Sequence, residues 1–185
     1  QATHIDLSYA GGKASWLGSF TRSSIGQLRT GRNRQHGNSE WGLIPDYVIR
    51  VGDRDSVVVN DRPHVVPTSG YQQYDFAQKL NLQLSDSLLL RFNLQYSTTS
   101  DVPRSDQLAA RRNGELRFGE WSYGPQERLL ASLSLDLTSH SNVFDKGTVI
   151  FAYQQVGEDR LTRNLYSTER FVRQEDVGVT SLNID

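Results

Sequence analysis

Residues 73–97 alternate apolar and polar side chains with a period of two, and this pattern restricts the chain to antiparallel sheet more tightly than any other feature. Tyr74, Phe76, Leu80, Leu82 and Leu84 fall on one side, while Gln73, Asp75, Lys79, Asn81, Gln83 and Ser85 fall on the other; only Gln78 interrupts the stripe. Leu88, Leu90, Phe92, Leu94 and Tyr96 then repeat the pattern against Ser87, Arg91, Asn93, Gln95 and Ser97, with Leu89 as the exception. Successive Cβ atoms of a strand point to opposite faces, so each segment reads as a strand with one apolar face. A hairpin across Ser85-Asp86-Ser87 that sets Phe76 opposite Leu94, Leu80 opposite Leu90 and Tyr74 opposite Tyr96 puts every apolar side chain on one face.

Strands are expected also at 3–10, 14–24, 127–138, 147–157 and 176–184. Segment 127–138 sets Leu129, Ala131, Leu133, Leu135 and Leu137 against Arg128, Ser132, Ser134 and Asp136. In the last segment Val177 and Val179 favour one face, and Leu182 and Ile184 the other. No stretch carries a helical stripe. The connections alternate: short around Gly11-Gly12-Lys13, at 85–87 and at 139–146, long at 25–72, 98–126 and 158–175. In an up-and-down meander, alternate connections lie at opposite ends, so the long loops share one end. The expected class is all-β, an antiparallel up-and-down meander of about seven strands.

What this sheet faces is the next question. A length of 185 residues suits one domain, and a net charge of −1 offers no basic face for nucleic acid. With no cysteine there are no disulfides, thiolate metal sites or cysteine nucleophiles. The opening QATHIDLSYAGG has no initiator Met, basic segment or apolar leader, so no targeting segment is expected within it. No apolar run approaches the ~20 residues of a membrane helix, but strands of ~9–11 residues cross a bilayer when tilted. In that case the Leu129 to Leu137 stripe meets lipid and the Arg128 to Asp136 stripe a wet lumen. Tyr74 and Tyr96 would then sit in an interfacial aromatic girdle at the long-loop end. A soluble β-sandwich carbohydrate-binding or adhesin-type module explains each strand equally well, and the segregation of long loops favours the barrel.

Four stretches carry a resemblance: DLSYAGGKASWLGSFTRSSIGQLRTGRNR, SGYQQYDFAQKL, LQYSTTSDVPRSDQL and EWSYGPQERLLASLSLDL. They resemble, in order, the barrel portion of TonB-dependent outer-membrane receptors. The third is similar to a Ser-x-x-x-Asp-x-Pro-Arg-x-Asp pattern through Ser97, Asp101, Pro103, Arg104 and Asp106. The fourth is similar to a Glu-Trp-x-Tyr-Gly-Pro-Gln-x-Arg pattern through Glu120, Trp121, Tyr123, Gly124, Pro125, Gln126 and Arg128. The resemblance implies part of a larger transmembrane β-barrel of about 22 strands in the outer membrane of a Gram-negative bacterium. It implies active uptake of a scarce nutrient, an iron-siderophore, haem, cobalamin or similar small-molecule or metal-chelate ligand. The implied partners are outer-membrane lipid, the remaining barrel strands, a plug domain and, through the plug, TonB. On this reading the chain begins inside the barrel and stops at Asn183-Ile184-Asp185, without plug, TonB-binding segment or terminal aromatic-ended strand.

No catalytic constellation stands out, so neither an enzyme nor a cofactor is expected. His4, His36, His64 and His140 lack metal-ligand spacing, and no metal site is expected. Asp53-Arg54-Asp55 lacks the spacing of a calcium loop and reads as a polar turn. Glu120 and Glu127 could suggest a glycosidase pair, although a paired surface charge explains them more simply. Arg29, Arg32 and Arg34 could meet an anion, or form a solvated loop face. The candidate ligand-binding residues are Arg104, Asp106, Glu120, Trp121 and Tyr123. They bracket one long loop and combine aromatics with paired charges, a composition that also suits a loop packed on itself.

Overall fold

A computed structural model describes residues 1–33, 37–139 and 143–185. Seven strands follow one another in chain order across one antiparallel sheet: β1 (Ala2–Gly11), β2 (Ala14–Ile25), β5 (Tyr71–Ser85), β6 (Leu88–Thr99), β10 (Phe118–Thr138), β11 (Lys146–Asn164) and β12 (Phe171–Ile184). A short eighth strand, β7 (Val102–Pro103), also pairs with β10. Two hairpins, β3 (Asp46–Val51) with β4 (Arg54–Val59) and β8 (Arg111–Arg112) with β9 (Glu115–Leu116), interrupt the loops. A single helical turn, α1 (Ser105–Leu108), follows β7.

The expected seven-strand meander is present, with three local differences, the first being that β10 starts at Phe118 rather than at 127, so the expected loop at 98–126 shortens to the stretch between Thr99 and Phe118. The β5–β6 register is shifted by two residues, pairing Phe76 with Tyr96, Leu80 with Phe92 and Tyr74 with Thr98. Because the shift is even, every side chain keeps its face. A bulge between Gln83 and Ser85 leaves Asp86-Ser87 as the turn. The expected long loop at 158–175 shrinks to 165–170, because β11 and β12 pair from Thr162↔Phe171 downward. The other two long connections run between Ile25 and Tyr71 and between Thr99 and Phe118, at the same end.

Register assigns each residue to a face. One row runs Tyr9, Trp16, Leu80, Phe92, Leu133, Phe151 and Leu182, and the next runs Ala14, Leu82, Leu90, Leu135, Val149 and Ile184. The opposite face carries Ser8, Leu17, Lys79, Asn93, Ser132, Ala152 and Ser181, then Ser15, Asn81, Arg91, Ser134, Ile150 and Asn183, and is thus mainly polar. There Arg91 pairs with Asp136, which also accepts a hydrogen bond from Thr148 Oγ1 at 3.0 Å. The split in β12 resolves the same way: Leu182 and Ile184 join the apolar face, Val177 and Val179 the polar one. Gln78, on the apolar face, accepts a hydrogen bond from Trp16 Nε1 at 2.5 Å. That bond satisfies an amide oxygen that apolar surroundings would otherwise leave unpaired.

Gly18 lies between these two groups, and a Cβ there would stand 2.6 Å from the Trp16 ring and 2.7 Å from the Gln78 amide. Gly18→Ala is therefore expected to displace the indole and lower stability by about 1–3 kcal/mol, the usual cost of overpacking. Thermal unfolding followed by tryptophan emission measures it; an unchanged midpoint would mean that both side chains move aside freely.

Among the described residues no second layer covers the apolar rows. Leu7 is 63 % exposed, Tyr9 65 %, Phe151 50 % and Leu182 63 %. Among the described residues the buried hydrophobic ones are Val65, Val66, Leu116, Phe118 and Leu161, all toward the long-loop end. The accessible surface, 12697 Å², exceeds the roughly 9,000 Å² that area–mass scaling gives a compact chain of this size. Among the described residues β1 and β12 do not pair with each other, so the sheet is open.

Candidate functional site

Above the apolar rows, β10 continues past a bulge between Gly124 and Glu127. Pro125 in that bulge has no N–H to donate, and the neighbouring ladder breaks between β6 and β7. The chain then pairs with β10 again, Val102 opposite Tyr123 and Pro103 opposite Ser122, with Arg104 N–H donating to Trp121 O at 3.0 Å. Register thus places the Arg104 to Asp106 motif directly against the Trp121 to Tyr123 motif.

Four of the five candidate residues meet there. Arg104 makes a bidentate pair with Asp106, Nε to Oδ1 at 2.8 Å and Nη2 to Oδ2 at 2.7 Å, and donates from Nη1 to Tyr123 Oη at 2.7 Å. Its guanidinium lies 4.7 Å from the Trp121 ring centroid and 5.4 Å from that of Tyr123, and the two rings meet edge to face at 5.3 Å. The Arg104 guanidinium beside Asp106 holds that carboxyl well below the ordinary carboxylate range, and Asp106 in turn raises Arg104. Both charges persist at any physiological pH. Arg160, on β11 opposite Tyr123, lies 5.9 and 5.5 Å from the Trp121 and Tyr123 centroids.

Glu120, one residue before Trp121, belongs to a different cluster. It accepts from Arg170 Nε at 3.0 Å and Nη2 at 2.9 Å, and lies 3.8 Å from Arg163. Arg163 donates to Asp55 from Nη1 at 2.5 Å and Nη2 at 2.9 Å; the two side chains are 4 % and 0 % exposed. Asp55 also accepts from Tyr166 N–H at 2.8 Å and Arg50 Nη1 at 3.3 Å. This network fastens β4 to β11. Gly119 permits it, since a Cβ there would stand 2.6 Å from Arg163 and 2.7 Å from Asp55. The Arg163 hydrogen bond holds the Asp55 carboxyl below its ordinary value.

A cavity of about 270 Å³ is lined by β3, the segment around α1 and the start of β10, with Tyr47, Val48, Pro67, Leu108, Glu120 and Trp121 among its residues. It is slightly smaller than an ordinary small-molecule pocket, and so sized for part of a ligand.

The remaining sequence candidates lie apart. His4 contacts Thr21 Oγ1 at 2.7 Å and His64 contacts Arg32 at 3.2 Å, while Arg29 pairs with Val65 in an isolated bridge. His36, His140 and Arg34 lie outside the described residues. Among the described residues no group of His, Asp or Glu is placed to hold a metal ion. Glu127 accepts from Tyr96 Oη at 3.1 Å. The Asp53-Arg54-Asp55 stretch is only in part a polar turn: Asp53 is in the β3–β4 turn, but Asp55 is the buried anchor. Sequence reading named Asp55 only as part of a polar turn and missed Arg160, Arg163 and Arg170, which lie in the stretch 158–175 expected to be loop. Their one available signal was the charge density of segment 158–175. Compared with protein-family models, curated proteins and solved structures, the chain matches none of them.

Proposed function

We propose that this chain forms part of the wall of an outer-membrane β-barrel receptor, TonB-dependent, that imports a scarce nutrient such as an iron-siderophore, haem or cobalamin. The observation that carries the reading is a single, uncovered sheet, apolar on one face and polar on the other, with its long loops at one end. From the Leu129 row to the Leu137 row the apolar band runs eight residues along β10, roughly 27 Å at ~3.4 Å per residue. At the ~40° tilt of barrel strands this is about 21 Å high, near the ~25 Å apolar band of outer-membrane barrels. The polar face, with the Arg91–Asp136 pair, suits a wet interior. The Arg104, Trp121 and Tyr123 cluster shares that face at the loop end, where an incoming ligand or plug would meet it.

A β-sandwich would need a second sheet over the Leu133 row, whereas the two small sheets have two strands each and lie within the long loops. Cell fractionation tests the proposal. The parent protein is expected in the outer-membrane fraction, migrating differently on gels with and without boiling. Recovery as a soluble protein without detergent would overturn it.

A further inference from the structure

The β3–β4 hairpin keeps one edge open. Asn60 N–H donates to Pro45 O at 2.8 Å, immediately beside the Asp46↔Val59 pair. Hydrogen-bonded and non-hydrogen-bonded pairs alternate along an antiparallel ladder. Val58 therefore bonds across to Tyr47 and Ser56 to Ile49, whereas Val57 and Val59 turn their N–H and C=O groups away from β3. Among the described residues none of those four groups has a hydrogen-bond partner. They recur every second residue, about 6.8 Å apart, the spacing at which a neighbouring strand presents its own donors and acceptors.

This edge lacks the devices that ordinarily blunt one. Residues 56–59 read Ser-Val-Val-Val, without charge or proline, and no bulge interrupts their register. Val59 is 80 % exposed and Val57 42 %, both on one face. An uncharged, β-branched edge with unpaired backbone groups is a template for strand addition. It is also fixed at both ends, which lowers the ordering cost of binding. At the base the buried Asn60 amide donates to Ile44 O at 2.8 Å and Val65 O at 3.0 Å, and near the tip Asp55 is bound to Arg163. The other strand of the hairpin is turned inward: Asp46, Tyr47 and Val48 of β3 line the cavity, and Asp46 pairs with Arg111.

We propose that β4 receives an extended segment of a partner polypeptide as a third strand, bonded to the N–H and C=O groups of Val57 and Val59. The proposal goes beyond the receptor reading and does not rest on it. Charge narrows the occupant. Arg54 at one end of β4 and Asp61 just past the other have no ion-pair partner among the described residues. The complementary segment is uncharged and β-branched over about four residues, acidic toward Arg54 and basic toward Asp61. A second copy of this chain fits poorly. Two β4 strands paired antiparallel with Val57 opposite Val59 would set Arg54 against Arg62 and Asp55 against Asp61, like charges throughout.

Residue-resolved hydrogen exchange tests this, on the protein in the cell fraction where it resides and again as a dilute monomer purified in detergent. Val57 and Val59 N–H are expected to exchange about ten-fold slower in the native fraction than in the purified protein, while Val58 N–H, bonded to Tyr47, is slow in both. Val59→Pro removes one outward donor and no bond within the hairpin. In the native fraction it is expected to return Val57 to its purified rate, with Val58 still slow. Equal rates for Val57 and Val59 in the two samples would overturn the proposal. So would slowing in the purified protein that grows with its own concentration, which assigns the edge to a second copy, or slowing in the native fraction that survives Val59→Pro. None of these outcomes bears on which face of the sheet meets lipid, so the edge can stay unoccupied while the receptor reading stands.

Discussion

Leu133→Arg is expected to block assembly of the protein into membranes, whereas Ser134→Arg, one residue along the same strand, is expected to leave it nearly intact. Leu133 sits mid-row between Phe92 and Phe151 on the apolar face and is 44 % exposed. A cation at a lipid-facing midplane position costs about 2–4 kcal/mol. Ser134 points the other way, between Arg91 and Ile150. A new arginine there meets the like charge of Arg91 at a cost of about 0.2–1 kcal/mol, with Asp136 on the same face to offset it. Folding yield into lipid vesicles separates the two. Equal yields, or the reverse order, would mean that the wrong face has been assigned to lipid.

The second large effect is local to the loops. Asp55→Asn is expected to release the β3–β4 hairpin from β11 at a cost of about 3 kcal/mol, because removing one partner strands a buried charge on Arg163. Asp53→Asn is the contrast: that side chain is 99 % exposed, its nearest cation is Arg50 at 3.8 Å, and its loss should cost under about 0.5 kcal/mol. Trypsin cleavage after Arg50 and Arg54 reads both, with rapid cutting expected only in the Asp55 variant. The same latch depends on pH. Because the folded-state value of Asp55 is depressed, its contribution is fully present above the ordinary carboxylate range and is lost as pH falls through the lower, folded value. Cutting of the hairpin in the unmodified protein by pepsin, which unlike trypsin is active in acid, should therefore rise as pH falls below the ordinary carboxylate range. Equal cutting of the two variants would mean that the Asp55–Arg163 pair does not hold the hairpin.

Much of this was legible in the chain. The alternation from Tyr74 to Tyr96 and from Leu129 to Leu137 determines which side chains share a face, and every such assignment survives, because a two-residue register error cannot change a face. The exact pairing was not legible: the Gln83 bulge depends on turn geometry and leaves no mark on the alternation. The site was half legible. Arg104, Asp106, Trp121 and Tyr123 combine residue types that bind one another, and they occur in two motifs that the ladder brings together. Glu120 went with them by adjacency, yet strand alternation turns its side chain toward Arg163 and Arg170. Asp55 and Arg163 are 108 positions apart, and no local pattern announces that pairing. The strand content of 158–164 and 171–175 escaped notice because segments at that end carry charge on both faces, and so lack the period-two signature.

The proposed barrel wall requires the apolar face to meet lipid and the polar face to meet water. The absence of native cysteine makes a direct measurement clean: single cysteines at 129 through 137, each carrying a nitroxide, in protein reconstituted into bilayers. Collision rates with oxygen, which concentrates in lipid, and with a water-soluble nickel chelate should alternate out of phase, oxygen favouring 129, 131, 133, 135 and 137 and the chelate favouring the even positions. A chelate that reaches both sets equally, or an inverted alternation, would contradict it.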